Sequence, residues 1–506
     1  MESATPEKQS KTLARREFVQ VVGAGAAAVG LSGLAGCARS SSRSPNIVFI
    51  LADDLGYNEL GSYGQDKIRT PNLDRMAAEG MRFTQHYSGS PVCAPSRCVL
   101  LTGMHTGHAF IRGNDEMPER GDIWNDVSLE GQRPIPENTH TVAKMLKEAG
   151  YTTGAMGKWG LGGPGSTGEP NRQGFDYWYG VLGQRVAHNY YPPHLWRNTE
   201  RHDLENEYFD PHQPLPEDAD PNDPASYEPY KGTQYSMDLM AEEALQFVRR
   251  NQDHPFFLYL PFPVPHVALQ VPDDSVDEYE GAFPETPYTG DRGYLPHQKP
   301  RSAYAAMITR MDREIGRVMD LIEELGLDDD TIFFFTSDNG PTFNGGTDSE
   351  FFNSAGPLRG LKTELYEGGI RVPLIARWPG RIRPGSSSAL PSAFWDFFPT
   401  FADLAGGEVP ENIDGLSLLP ALMGRPDQGE HEYLYWEYVG RQAVRMGRWK
   451  GIRHRVDRAI ELYDLDDDIG EERDVSGANP DIVARIAEIM ESGRTESEYF
   501  PLVRGG

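Results

Sequence analysis

Ile47-Val48-Phe49-Ile50-Leu51, Phe256 to Leu260 and Thr331 to Thr336 are almost unbroken apolar runs, each bounded by polar or turn-forming residues. That pattern predicts strands buried on both faces. Tyr151 to Met156 adds a further strand. Elsewhere the period changes to three and four: Tyr304, Met307, Ile308, Met311, Ile315, Val318, Met319 and Ile322 form one face of an amphipathic helix that Gly326 ends. Thr70-Pro71 opens a shorter helix, its hydroxyl able to cap and its proline in the first turn, and Gly80 stops it. Thr141 to Glu148, closed by Gly150, and the stretch around Met240 to Arg250 are also helical in pattern. Strands alternating with helices predict an α/β fold, a mostly parallel sheet covered on both sides. Ligands of such sheets bind beyond the carboxyl ends of the strands. Asp53-Asp54, Lys158, His266 and Asp338-Asn339 all fall there.

The alternation breaks in two Pro- and acid-rich stretches, about 198–230 and 271–300, which read as long surface loops suited to walling a pocket. From about Glu430 the pattern shifts to short strands, at Tyr433 to Tyr438, Gln442 to Met446, Trp449 to Arg453 and Leu462 to Leu465, then a helix over Asp481 to Met490. The division expected is a catalytic domain over 46–428 and a small α+β subdomain with an antiparallel sheet over 429–506. The first 37 residues read as an address: adjacent Arg15 and Arg16, a short Gly- and Ala-rich apolar stretch, and Leu34-Ala35-Gly36-Cys37, which looks like a lipobox. Twin-arginine export, a lipid on Cys37 and a short tether at 38–45 follow as expectations, with the protein anchored in the periplasm or at the cell surface. The apolar stretch is too short and Gly-rich to span a bilayer.

A chain of 506 residues has room for one large domain and one small one. Its formal charge of -28 argues against nucleic acid as partner and against a basic membrane-docking face, so membrane contact is expected only through lipid on Cys37. It does not exclude an anionic substrate, because a few cations and a metal in a cleft outweigh screened acids on a distant surface. The three cysteines are Cys37, Cys93 and Cys98.

Cys93-Ala94-Pro95-Ser96-Arg97, followed by Leu101-Thr102-Gly103, reads as a nucleophile loop running into a helix. An anion over Cys93 would meet the positive end of that helix and Arg97. Cys93 paired with Cys98, or two buried thiols, is the plainer alternative. Asp53, Asp54, Asp338 and Asn339 offer only oxygen ligands, which suits a hard cation, and Ca²⁺ tolerates their irregular geometry better than Mg²⁺. Each pair alone is more often an Asx-turn or a cap; two pairs beyond buried strands, with the Cys93 loop, point to metal.

The run C-x-P-S-R-x-x-x-x-T-G resembles the signature of the type I sulfatases. Ala52-Asp53-Asp54-Leu55-Gly56-Tyr57, Gly157-Lys158-Trp159, Pro265-His266, Ser337-Asp338-Asn339-Gly340 and Arg359-Gly360-Leu361-Lys362 resemble that family's other motifs, in its order. The resemblance covers 46 to about 490. It implies an alkaline-phosphatase-like α/β/α sandwich with a small C-terminal subdomain, and hydrolysis of sulfate monoesters of carbohydrates or aryl alcohols. It further implies that a formylglycine-generating enzyme oxidises Cys93 to Cα-formylglycine (3-oxoalanine), and that one Ca²⁺ is held by Asp53, Asp54, Cys93, Asp338 and Asn339. The hydrated aldehyde has one hydroxyl to attack sulfur and another through which sulfate is expelled. Arg97 would hold the nucleophile, Lys158 and Lys362 bind sulfate, and His266 protonate the leaving oxygen. The family's histidine two residues after the lysine is Gly160 here, and His108 or His188 is the expected substitute. Arg112 and Asn114 are further candidate substrate contacts. The rival readings are a phosphate or phosphonate ester hydrolase of the same superfamily, and a silent glycan-binding lipoprotein.

Overall fold

Every residue of β1 (Asn46–Ala52) is buried. It lies inside a ten-stranded sheet. The other strands, in chain order, are β2 (Met81–Phe83), β3 (Thr152–Lys158), β4 (Tyr177–Val181), β5 (His194–Arg197), β6 (Glu200–Asp203), β7 (Phe256–Pro261), β8 (Thr331–Ser337), β9 (Leu374–Arg377) and β10 (Ser386–Ser388). Their spatial order is β10-β2-β9-β8-β1-β7-β3-β4-β5-β6. The middle, β8-β1-β7-β3-β4, is parallel throughout; at one side β9 runs antiparallel to both β8 and β2, with β10 parallel to β2 at the edge, and at the other β5 runs antiparallel to both β4 and β6. The structure, a computed structural model, describes residues 44–115, 130 and 132–502. The leader expected at 1–37, its Cys37 and residues 38–43 of the tether lie outside them.

The two-residue period of β1 sorts the core. Ile47, Phe49 and Leu51 pack with α2 (Cys93–Thr102), α3 (Val142–Glu148) and α6 (Phe397–Ala405). Val48 and Ile50 pack with α1 (Pro71–Glu79), α4 (Ser236–Asn251) and α5 (Pro300–Glu324) on the other face. β8 repeats the division, Phe334 to one side and Phe333 and Phe335 to the other. This is the α/β/α sandwich expected. Thr141 caps α3 by accepting from Lys144 N at 3.2 Å. Thr70 does not cap α1: its hydroxyl accepts from Gly61 N instead, and the first turn of α1 is held by Asp312 of α5, which accepts from Asn72 N at 3.1 Å and Leu73 N at 2.7 Å.

The C-terminal region forms a four-stranded antiparallel sheet, β11 (Leu434–Tyr438), β12 (Arg441–Met446), β13 (Trp449–Arg453) and β14 (Glu461–Asp464), covered by α7 (Pro480–Ser492). It belongs to the same compact unit as the main sheet. Of the two long loops, 198–230 contributes β6 and a 3-10 turn at Pro224–Tyr230, and 271–300 a short helix at Asp273–Asp277. Together they line a pocket of about 360 Å³ that includes Tyr227, Tyr230, Val271 and His297. Among the described residues no helix is long and apolar enough to cross a membrane.

Candidate active site

α2 starts at Cys93 itself, after an extended Val92 that offers no side-chain cap. Pro95 sits in the first turn, where a missing N–H leaves no helical bond unmade. One of the free N–H groups there, that of Ala94, is taken from outside by Asn114 Oδ1 at 3.1 Å. Cys93 and Cys98 are both free thiols, so the disulfide alternative falls; Cys98 packs in the core while Cys93 meets the strand ends.

Four strand ends converge on Cys93. Asp53 and Asp54 follow β1, Lys158 ends β3, His266 follows β7, and Asp338-Asn339 follow β8. Cys93 Sγ lies 3.3 Å from Asp53 Oδ1 and 3.7 Å from Lys158 Nζ. Lys158 Nζ pairs with Asp53 Oδ2 at 2.6 Å, and Lys362 Nζ with Asp54 Oδ2 at 2.8 Å. Arg97 donates from Nε and Nη2 to Asp338 Oδ2 at 3.1 and 2.9 Å, and its Nη2 is 3.2 Å from Asp53. Its Nη1 also donates to the carbonyl of Lys158. Burial opposes charge on Asp53, yet Lys158 and Arg97 outweigh it and hold the carboxyl well below the usual range. Burial and the Asp53 charge push Asp338 the other way. Burial, helped by Asp53, likewise raises the Cys93 thiol, which is therefore neutral as it stands.

The donor set fits a hard divalent cation. Ligand atoms of Asp53, Asp54, Cys93 and His266 all lie within 4.8 Å of one another, and all four residues are buried. Asn339 donates through Nδ2 to Asp54 Oδ1 at 2.7 Å, while its Oδ1 is buried with no partner among the described residues. A buried amide carbonyl beside three carboxylates is costly unless a cation accepts it.

His266 Nδ1 donates to the carbonyl of Val267, which leaves Nε2 facing Asp54 Oδ2 at 3.6 Å. Burial, then the Lys362 charge, bring its pKa down to about 4. The His188 ring stacks on it at 4.5 Å, nearly parallel, and Tyr294 from the 271–300 loop stands edge-on to both.

The sulfatase family profile matches residues 45–407, and that of the N-sulphoglucosamine sulphohydrolase C-terminal region matches 361–495. The chain belongs to the sulfatase family. It is 30% identical to N-acetylgalactosamine-6-sulfatase of Canis lupus familiaris, over 92% of this chain and 83% of that protein. Identity is also 30% to N-acetylgalactosamine-6-O-sulfatase of Bacteroides thetaiotaomicron, over 90% and 94%. The crystal structure of Ps i-CgsB in complex with k-i-k-neocarrahexaose superposes with a TM-score of 0.70 at 29% identity, covering 89% of this chain and 93% of that one. The protein is thus a sulfuric ester hydrolase of alkaline-phosphatase-like fold.

The sulfatase site brings together Asp53, Asp54, Cys93, Arg97, Lys158, His266, Asp338, Asn339 and Lys362. Other candidates lie elsewhere or are otherwise engaged. His108 sits at the far end of α2, where its Nδ1 meets Asp414 at 2.9 Å and Asp414 N donates to the carbonyl of Gly103. α2, ten residues at about 1.5 Å each, is about 15 Å long, and Cys93 opens it while His108 follows its last turn. His188 reaches the site, but as the ring behind His266, with its Nδ1 3.1 Å from His212 Nε2. Neither replaces the side chain missing at Gly160: the atoms nearest a Cβ built there all belong to Gln184. Arg112 is committed to Glu437 Oε1 at 2.8 Å and to the carbonyl of Thr495. It borders a cleft of about 550 Å³ shared by Asn114, Tyr438, Arg455, Tyr499 and Phe500. Tyr294 and Gln184 carried no signal of their own; for Gln184 the trace was indirect, the glycine at 160.

Proposed function

We propose that this sulfatase is exported and removes sulfate from sulfated carbohydrates, with Cys93 converted to Cα-formylglycine by a formylglycine-generating enzyme. One Ca²⁺ is held by Asp53, Asp54, Asp338 and Asn339 together with the converted residue. The observation that carries this reading is the buried meeting of Cys93 with three carboxylates, three cationic side chains and one amide carbonyl that has no partner among the described residues. When present, the aldehyde hydrate and the ion together supply a hydroxyl acidic enough to attack sulfur and a second through which sulfate is released.

The chain's own residues do the rest. Arg97 binds both Asp53 and Asp338 and keeps their charge from repelling the substrate anion. Lys158, beside Cys93, and Lys362, on Asp54, stabilise charge as it spreads over the sulfuryl oxygens. With its own ring proton on Nδ1 and held by Val267, His266 takes up a second proton at Nε2, favoured by the Asp54 carboxylate it faces, and that proton passes to the leaving sugar oxygen. Asn114 joins the nucleophile helix to the cleft of Tyr438, Arg455, Tyr499 and Phe500, whose size suits small ligands and whose rings offer faces for a sugar. Two N-acetylgalactosamine-6-sulfatases among the relatives support a carbohydrate substrate. The leader motifs at Arg15-Arg16 and Cys37 support export and lipid anchoring.

The test is the mass of the tryptic peptide containing Cys93, from active protein made in its native host. A loss of about 18 Da, thiol to aldehyde, is expected. An unmodified thiol in active protein would overturn the formylglycine mechanism.

A further inference from the structure

Gln184 is a buried carboxamide with no partner among the described residues. Only 4% of the residue is exposed, and neither Nε2 nor Oε1 finds a hydrogen bond among the described residues. An amide withdrawn from water in this way is destabilising until a partner arrives. Gln184 is nonetheless held firmly. Its own N donates to Gln132 Oε1 at 3.2 Å, and the two preceding N–H groups, of Leu182 and Gly183, donate to Glu130 Oε2 at 3.1 and 2.8 Å. Glu130 is in turn fixed by His194 and Trp196.

Its position is that of a site residue. β3 and β4 keep their register past the strand ends, with Trp159 N donating to Val181 O and Gly160 N to Leu182 O. Gln184 therefore stands on the ledge that carries Lys158, which touches Asp53 and Cys93. Gly160 leaves room for it. With φ at +84°, in the left-handed region, a Cβ at 160 would fall 1.8 Å from Gln184 Nε2. One side chain fits that volume, and in this chain it comes from the turn after the neighbouring strand.

We propose that Gln184 contacts the substrate, donating from Nε2 to a non-bridging oxygen of the bound sulfate group. Sulfuryl oxygens accept hydrogen bonds only, and a carboxamide N–H has no proton to lose at physiological pH. Gln184 thus binds and orients the anion but transfers no proton. The inference rests on the sulfatase activity, not on how Cys93 is matured.

The experiment compares wild-type protein from the native host with Gln184→Ala and Gln184→Glu. It reads affinity for inorganic sulfate by calorimetry, kcat/KM on a sulfate monoester, and melting temperature without ligand. Alanine should weaken sulfate binding and lower kcat/KM about 10- to 100-fold, while the melting temperature holds or rises because two unpaired buried atoms are gone. Glutamate should weaken sulfate binding further, since its charge repels the anion. The proposal is overturned if alanine keeps wild-type sulfate affinity. It is overturned equally if alanine lowers the melting temperature and glutamate binds sulfate no worse than alanine, because Gln184 then serves the fold.

Discussion

Arg97 touches three parts of the site at once: Asp338 through two nitrogens, Asp53 through a third contact and the backbone of Lys158 through Nη1. Only a planar fork of donors makes that set, and a lysine ammonium cannot. Arg97→Lys should therefore lower kcat at least about 100-fold and lower the melting temperature, since it leaves buried carboxylates poorly matched. Turnover within about threefold of wild type would show that charge alone matters there. At this scale Arg97, Lys158, His266 and Asp338 were legible in the sequence because each sits in a motif or just beyond a buried strand. Gln184 was not, because it follows a strand with no strong apolar run and its importance lies in what Gly160 lacks. Histidines were expected to fill that gap; folding sent His108 to the other end of α2 and stacked His188 on His266.

At the scale of elements, the buried parallel strands and long helices were legible since their apolar periods are complete. β2, β9 and β10 are three or four residues long and lie toward one edge, too short for a period to show. Helix caps are less legible still when they come from another element. Thr70 has the right chemistry for α1 and the right place in sequence, yet Asp312 from the middle of α5 does the work, with both carboxylate oxygens on first-turn N–H groups. Burial raises the Asp312 carboxyl to about 6. Asp312→Ala orphans the buried Leu73 N and the part-buried Asn72 N and should cost on the order of 3 kcal/mol, whereas Thr70→Ala, which loses one hydrogen bond to Gly61 N, should cost about 1 kcal/mol. Urea unfolding of the two variants decides it, and equal losses would return the cap to Thr70.

Across the whole molecule, the small sheet is joined to the catalytic domain by a buried charge cluster that no sequence motif announced. Lys450 on β13 pairs with Glu367 at 2.9 Å and Glu471 at 3.0 Å, and Glu367 N donates to Glu471 Oε2 at 2.7 Å. One lysine cannot fully neutralise two carboxylates. Burial opposes charge on Glu367, but Lys450, Arg371 and Arg445 bring it down to about 2. Burial, reinforced by Glu367 and only partly offset by Lys450, raises Glu471 to about 7. Between its usual 4.5 and 7 the folded protein keeps the Glu471 proton that the unfolded chain has released, so this group makes stability fall as pH rises through that window. Glu367 acts in the opposite sense and at lower pH, its contribution being present above 4.5 and lost toward 2. Glu471→Gln keeps the shape and an acceptor for Glu367 N but cannot ionise. The melting temperature of the variant relative to wild type should therefore climb from pH 4.5 to 7 and level off above it. A difference that stays constant with pH would mean Glu471 is already charged in the folded protein, stabilised by Lys450 more fully than its burial suggests.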